Sequence, residues 1–378
     1  MKLFISIAVA GCLLMLGGEP CLAKEKKATT LREAFKGKFY IGTALNRAQY
    51  MGYDTKADEV VKKQFSAIVA ENCMKSENLQ PQEGKFFFDE ADKFVAYGEK
   101  NKMFVTGHTL IWHSQTPRWL FVDKDGKEVS REVLIERMRN HIHTVVGHYK
   151  GRIKGWDVVN EAIEDDGSFR KSRFYKIIGE DFIKLAFQFA HEADPDAELY
   201  YNDYSMYLPG KREGVVRMVK SLQAQGVKID GIGMQGHVGM DYPALEDEEN
   251  SIVAFASLGV KVMITELDLS ALPAPKGNRG ANIADVAAYQ EQINPYKKGL
   301  PANVEAAWEN RYLDFFKLFL KHKDKITRVT LWGVSDKGSW KNNFPVRGRT
   351  DYPLLFDRDY KAKNIVSKLI NLAAQTKQ

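Results

Sequence analysis

Apolar residues along this chain come in short runs that stop abruptly at polar or aromatic side chains. Between the runs the pattern changes to a helical period. The runs are FYIGTAL (39–45), SAIVAEN (66–72), MFVTGHTLIWH (103–113), IKGWDVVNE (153–161), AELYYND (197–203), GIGMQGH (231–237), KVMITELD (261–268) and RVTLWG (328–333). Nearly continuous apolar runs of this length belong to strands covered on both faces. Helical spacing predicts helices over 174–193 and 245–258, the second ended by Gly259, and Thr30 with Glu33 has the spacing of a capping box. Eight buried strands alternating with helices predict an α/β fold, a (β/α)8 TIM barrel. No internal repeat beyond the alternation and no Pro/Ser-rich linker divides the chain, so one domain is expected. One connection departs from the pattern. Between the seventh and eighth runs, 270–309 carries Pro273, Pro275, Gly277, Gly280, Pro295, Gly299 and Pro301. It follows a strand end, so this long excursion is expected on the face where the strand ends open.

The first 23 residues read differently. Lys2 is followed by an apolar core from Leu3 to Leu16 and small residues up to Ala23, the order of a secretory signal peptide. The apolar run is shorter than the roughly 20 residues a membrane span needs, and LLML after Cys12 argues against a lipid-modified cysteine. The expected mature chain, 24–378, is the barrel, secreted or periplasmic. Cys12 and Cys21 fall in the leader, so Cys73 stands alone and no internal disulfide is expected. The net charge is +6, with acids and bases alternating; the runs Lys24–Lys27 and Lys321–Lys325 are each interrupted by an acid. These read as solvated surface. No nucleic-acid partner, no membrane association after leader removal and a monomeric state are expected.

The strand ends carry the chemistry. The second run ends in Glu71 and Asn72 with Lys75 just beyond; the third in His108, Trp112, His113 and Gln115; the fourth in Asn160 and Glu161. Tyr201, Asn202 and Asp203 follow, then Gln235 and His237, Glu266 and Asp268, and finally Trp332 with Trp340. In a closed barrel these ends ring one mouth. Glu161 and Glu266 close two different strands, and a carboxylate at the exit of a buried strand must be paired, solvated or at work. Two carboxylates across one mouth are what glycoside hydrolysis requires: one protonates the leaving oxygen and the other attacks the sugar carbon or activates water. Asn, Gln, Lys and His suit sugar hydroxyls, and Trp and Tyr suit the apolar faces of sugar rings. No cluster with metal-ligand spacing, nucleophile elbow or phosphate loop occurs, so neither metal nor cofactor is expected. Taken singly, His108 or Trp332 reads as ordinary core, and Glu266 as an ion-pair partner of Lys75. The joint pattern favours a site.

AENCMK (70–75), GHTLIWHSQTP (107–117), WDVVNEA (156–162), YYNDY (200–204), GIGMQGH (231–237), ITELD (264–268) and LWGVSDKGSW (331–340) resemble glycoside hydrolase family 10, the endo-1,4-β-xylanases, in the family's order across the mature chain. The resemblance implies internal cleavage of β-1,4-xylosidic bonds in xylan and xylo-oligosaccharides by a retaining mechanism, with Glu161 as general acid/base and Glu266 as nucleophile. It implies that Asn160 meets the sugar 2-hydroxyl and that His237 and Asp268 orient Glu266. Glu71, Asn72, Lys75, His108, Trp112 and Gln115 resemble the floor of the non-reducing side. Tyr201, Asn202 and Gln235 resemble the centre and leaving side, and Trp332 and Trp340 an aromatic lid. Ser76 stands where the family often has an aromatic residue, and Gly236 where it often has Ser. A retaining pair should titrate as a coupled unit, with Glu161 protonated while Glu266 is ionised. Two other readings are a related barrel glycosidase acting on another β-1,4-glucan, and a non-catalytic polysaccharide-binding barrel. The second would normally have lost one carboxylate, and both are present.

Overall fold

The strands form where the apolar runs predict them. In the computed structural model, which describes residues 28–273, 294–345 and 347–376, they are Tyr40–Leu45 (β1), Ala67–Ala70 (β2), Phe104–Trp112 (β3), Gly155–Asn160 (β4), Glu198–Asp203 (β5), Gly231–Met234 (β6), His237–Gly239 (β7), Lys261–Ser270 (β8) and Ile326–Leu331 (β9). They pair in parallel in the order β6-β5-β4-β3-β2-β1-β9-β8-β7, and an additional β6–β8 pairing closes the ring. β7 continues beyond β6 along the same neighbour, so nine strands make eight staves. The fold is a (β/α)8 barrel.

The sixth run was expected to be one strand and is two. Gln235 and Gly236 interrupt it. Gly236 has φ +81°, and a Cβ there would meet Ile264 Cγ2 at 2.9 Å, which favours glycine at this position. The helix expected over 174–193 is also two, Arg173–Ile178 and Asp181–Ala193, separated at Gly179 in a left-handed conformation (φ +84°). The helix Leu245–Ala256 matches its pattern closely. Half of the expected capping box forms: Thr30 Oγ1 accepts from Glu33 N at 3.2 Å, but the Glu33 carboxylate accepts from Thr29 N at 2.9 Å instead of from the cap. The excursion after β8 ends in the long helix Ala302–Lys321; residues 274–293 within it, and the expected leader, lie outside the described residues.

Apolar side chains fill the layer between strands and helices. Trp156, Trp308, Tyr201 and Phe187 are among the largest that are fully buried there. The bore of the barrel is different. Strand alternation sends every second side chain inward, and here many of these are polar. At the floor the Arg328 guanidinium lies 5.0 Å from the Phe104 ring centroid and 5.3 Å from that of Tyr200. Thr106, Asp157, Thr265 and Thr330 come next, and Glu266 and Trp332 complete that lining. A small apolar cluster of Ala44, Val69 and Trp332, with Trp340 against it, sits apart from the main core. Cys73 is free and buried. Among the described residues no helix is long and apolar enough to cross a membrane, and no group of three or more His, Cys, Asp or Glu is arranged to hold a metal ion.

Candidate active site

β4 ends at Asn160, and Glu161 follows with φ +57°. A non-glycine residue in that region is strained and persists only where its surroundings over-determine it. They do so here. Glu161 N donates to Asn202 O at 2.9 Å, and Arg170 Nε donates to Glu161 O at 2.8 Å. The next two amides, of Ala162 and Ile163, both donate to the Tyr201 hydroxyl, at 2.9 and 3.0 Å. The Glu161 carboxyl is thereby aimed at the mouth, where neutral donors meet it. Trp112 Nε1 donates to Oε2 at 2.8 Å, and Gln235 Nε2 and Asn160 Nδ2 donate to Oε1 at 3.0 and 3.2 Å. His113 Nδ1 lies 3.9 Å from Oε2, and burial holds that imidazole below its ordinary value in spite of the nearby carboxyl.

Glu266 lies inside β8 and is 5% exposed. Its Oε1 accepts from Asn202 Nδ2 at 2.9 Å, and its Oε2 lies 3.3 Å from His237 Nε2. His237 Nδ1 is 3.0 Å from Asp268 Oδ2, which also accepts from Trp340 Nε1 at 2.7 Å, and Lys341 Nζ is 3.6 Å from Asp268 Oδ1. Burial alone would raise the Glu266 carboxyl, but the His237 hydrogen bond and the charges of His108 and His237 hold it below its usual range. Burial likewise opposes the imidazolium of His237, and Asp268 with Glu266 pushes it up to about 9. Asp268 is held low by His237 and Lys341 against its burial. Glu266 is therefore a carboxylate facing a cation at neutral pH.

The two carboxyls are joined by a short amide bridge. Asn202 Nδ2 donates both to Glu266 Oε1 and, at 2.9 Å, to Asn160 Oδ1, while Asn160 Nδ2 reaches Glu161. Asn202 Oδ1 accepts from Thr265 Oγ1 at 2.6 Å. Gly233 makes room for this, since a Cβ there would lie 2.4 Å from Asn202 Oδ1.

Lys75, expected on the non-reducing side, is buried. Its Nζ donates to Asn72 Oδ1 at 3.0 Å and Gln115 Oε1 at 2.8 Å, and it lies 5.1 Å from the Trp112 ring centroid. It forms no ion pair with Glu266. Burial holds the ammonium low against the pull of Glu266, Glu71 and Glu161, and burial raises the Glu71 carboxyl against Lys75. Ser76, small and buried, lies under this cluster with its hydroxyl 3.4 Å from Gln115 O. His108 Nδ1 lies 2.9 Å from Asp157 Oδ2, and its ring meets Trp332 edge-on at 5.5 Å. Trp340 packs against His237 at 4.9 Å.

One expectation needs correction. Tyr201 does not line the mouth: it is fully buried in the outer core, with its hydroxyl taken up by the Glu161 loop and Asp203. Asn202, its neighbour, is fully buried but turns to the centre, where it meets Asn160, Glu266 and Thr265. Successive strand residues face opposite ways, so Tyr201, Asn202 and Asp203 cannot all point into one mouth. Other parts went unassigned in the sequence. Asp157 backs His108. Lys211 Nζ lies 2.9 Å from Asp203, whose carboxyl burial pushes up to about 6 despite that cation. Arg170 braces both Glu161 and, at 2.6 Å, Tyr204. Asp157 had a signal, since a charge in mid-strand of a buried run requires a partner.

The arrangement holds one carboxyl among neutral donors and a second as an anion beside a cation, which is the asymmetry that acid and nucleophile roles require. Residues 30–372 match the family model described as Glycosyl hydrolase family 10. The chain is 53% identical to endo-1,4-beta-xylanase A of Xylanibacter ruminicola over 353 residues, covering 93% of this chain and 96% of that one. It is 41% identical to an endo-1,4-beta-xylanase of Geobacillus stearothermophilus, covering 91% and 98%. A solved GH10 endoxylanase from a sugarcane soil metagenome superposes with TM-score 0.88 at 47% identity, covering 90% of this chain and 99% of that one.

Proposed function

Since the chain belongs to glycosyl hydrolase family 10, we propose that it is an endo-1,4-β-xylanase that cuts internal bonds of xylan with retention, using Glu161 as acid/base and Glu266 as nucleophile. The observation that carries the assignment of roles is the contrast in partners: three neutral donors on Glu161, and His237 backed by Asp268 on Glu266. A nucleophile must be ionised before it meets the sugar, and the imidazolium of His237 favours that state. An acid must carry a proton, and among the described residues no cation competes for it within ion-pair distance of Glu161 except His113 at 3.9 Å, which burial keeps neutral.

In the first step Glu266 attacks the anomeric carbon as Glu161 protonates the departing glycosidic oxygen. Asn160 Nδ2, held by the Asn202 bridge, supports an additional hydrogen bond to the sugar 2-hydroxyl. Once Glu266 is an ester its negative charge is gone, and Glu161, now ionised, takes a proton from the incoming water. His237 and Asp268 remain to receive the carboxylate when the ester is cleaved. The Lys75, Asn72, Gln115 and Trp112 cluster provides donors and an aromatic face beside Glu161 for sugars on the non-reducing side, with Glu71 next to it. Trp332 and Trp340 cover the reacting ring. The leader supports export. Proton NMR of the first product from a β-linked xylan is expected to show the β-anomer; initial α-product overturns the retaining assignment. Comparison of xylan with carboxymethyl-cellulose tests the substrate, and faster release of reducing ends from the cellulose derivative would refute xylan.

A further inference from the structure

Below Glu266 the bore holds a small cavity of about 10 Å³, lined by Val69, Thr106, Asp157, Thr265, Arg328 and Thr330 beneath Glu266 and Trp332. Three of these residues are almost fully buried and carry a polar atom with no hydrogen-bond partner among the described residues: Thr106 Oγ1, Asp157 Oδ1 and Arg328 Nη2. Buried donors and acceptors are nearly always satisfied, and those of charged groups are the most unfavourable to leave open. A cavity holds a water when it offers roughly 10–15 Å³ to the probe and two to four polar partners, and buried waters typically make about three hydrogen bonds. The volume and the number of open partners agree. The donor census also closes: a water can accept from the guanidinium, donate to the carboxylate, and exchange either role with the threonine hydroxyl.

We propose that one water molecule is bound in the bore between Thr106, Asp157 and Arg328, and that through it Arg328 acts as a positioning residue for the nucleophile. The path is short. The water fixes Asp157, whose other oxygen lies 2.9 Å from His108 Nδ1, and the charge of His108 is among the influences that hold the Glu266 carboxyl low. The nucleophile thus has two supporting arms. His237, backed by Asp268, touches it directly, and His108, backed by Asp157, the water and Arg328, acts on it through its charge. Removing the guanidinium leaves Asp157 a less compensated anion and weakens the positive field on Glu266.

A high-resolution crystal structure of the wild-type chain is expected to show ordered density within hydrogen-bonding distance of all three atoms; a dry cavity overturns the proposal. The kinetic arm rests on Glu266 being the nucleophile. In Arg328→Met the acid limb of kcat/KM is expected to move to higher pH by roughly half a unit, with KM little changed and with Arg328→Lys restoring much of the shift. An unmoved acid limb in a folded Arg328→Met enzyme overturns the coupling. If that variant does not fold, Thr106→Val, which keeps the volume and removes one anchor, is expected to move the limb in the same direction by less, and an unmoved limb again overturns it. The diffraction result is independent of the nucleophile assignment, so failure of that assignment and failure of the water site are separable.

Discussion

Glu161 stands one residue past the end of β4, and Glu266 stands four residues short of the end of β8. The first is held by its backbone, strained into the left-handed region and pinned by Asn202, Arg170 and Tyr201, while its carboxyl meets only neutral donors at hydrogen-bond distance. The second has ordinary strand backbone and is held by its side chain, through Asn202 and His237. The difference teaches where each role is specified. For a group that must change charge twice per turnover, fixed ionic partners would be a hindrance, so position comes from the main chain. For a group that must start as an anion, position and charge come from the same imidazolium.

The strongest way to break this comparison is to remove each carboxyl in turn. Glu266→Ala is expected to lower kcat by about 10⁴-fold or more while calorimetry still detects xylo-oligosaccharide binding. With added azide it is expected to give an α-glycosyl azide, because azide then attacks the β-linked substrate directly. Glu161→Ala is expected to lose about 10²- to 10⁴-fold on xylan but much less on an aryl xylobioside, whose leaving group needs little protonation, and azide should there give the β-product. Equal losses on both substrates would remove the acid role.

His237→Asn sharpens the charge half of the contrast, with an expected loss of about 10²-fold and an upward move of the acid limb. Its effect on stability has a definite sign. The folded imidazole is raised from 6.5 to about 9, so its contribution is fully present below pH 6.5 and is lost as pH rises through about 9. Over that window the wild type should lose up to about 3 kcal/mol from this group, and melting curves of His237→Asn should lack that part of the alkaline decline. Tyr201→Phe tests the backbone half and has the smallest expected effect. The Ala162 amide loses its acceptor, at about 1–3 kcal/mol if it stays buried and unpaired, and the Ile163 amide keeps only Asp203 Oδ2 at 3.4 Å. Turnover is expected to fall about tenfold with KM nearly unchanged, and a normal kcat would show that the left-handed turn needs no such brace.

The barrel was legible because its strands read as nearly continuous apolar runs, a signal that survives without knowledge of their neighbours even though the bore they enclose is partly polar. Glu161 and Glu266 were legible for the same reason, since charge there interrupts an otherwise continuous run, although Glu266 does not close its strand and β8 continues four residues beyond it. Facing direction was less so. Tyr201 and Asn202 were read together as lining the centre and leaving side although period-two alternation separates them, and a Tyr in an apolar run gives no sign of which face it takes. The breaks at Gly236 and Gly179 depend on left-handed backbone that a single glycine allows but does not announce. Arg328 was the least legible. A cation beginning the last apolar run reads as a solvated strand start, and only closure of the ring turns it inward over Phe104 and Tyr200.

β8 is bracketed along its length, by β6 and then β7 on one side and by β9 on the other, with Leu269 N continuing to Pro353 O at 3.1 Å. The amides of Glu266 and Asp268 donate to Gln235 O at 2.7 Å and Gly236 O at 3.2 Å. A strand held in this way does not fray, so these amide protons should exchange with solvent only when the whole barrel opens, whereas those of Ala162 and Ile163, held by side-chain acceptors on β5, exchange through local openings. The nucleophile then has the lifetime of the fold, and on warming the enzyme should lose its proton donor's alignment before it loses the carboxylate that attacks.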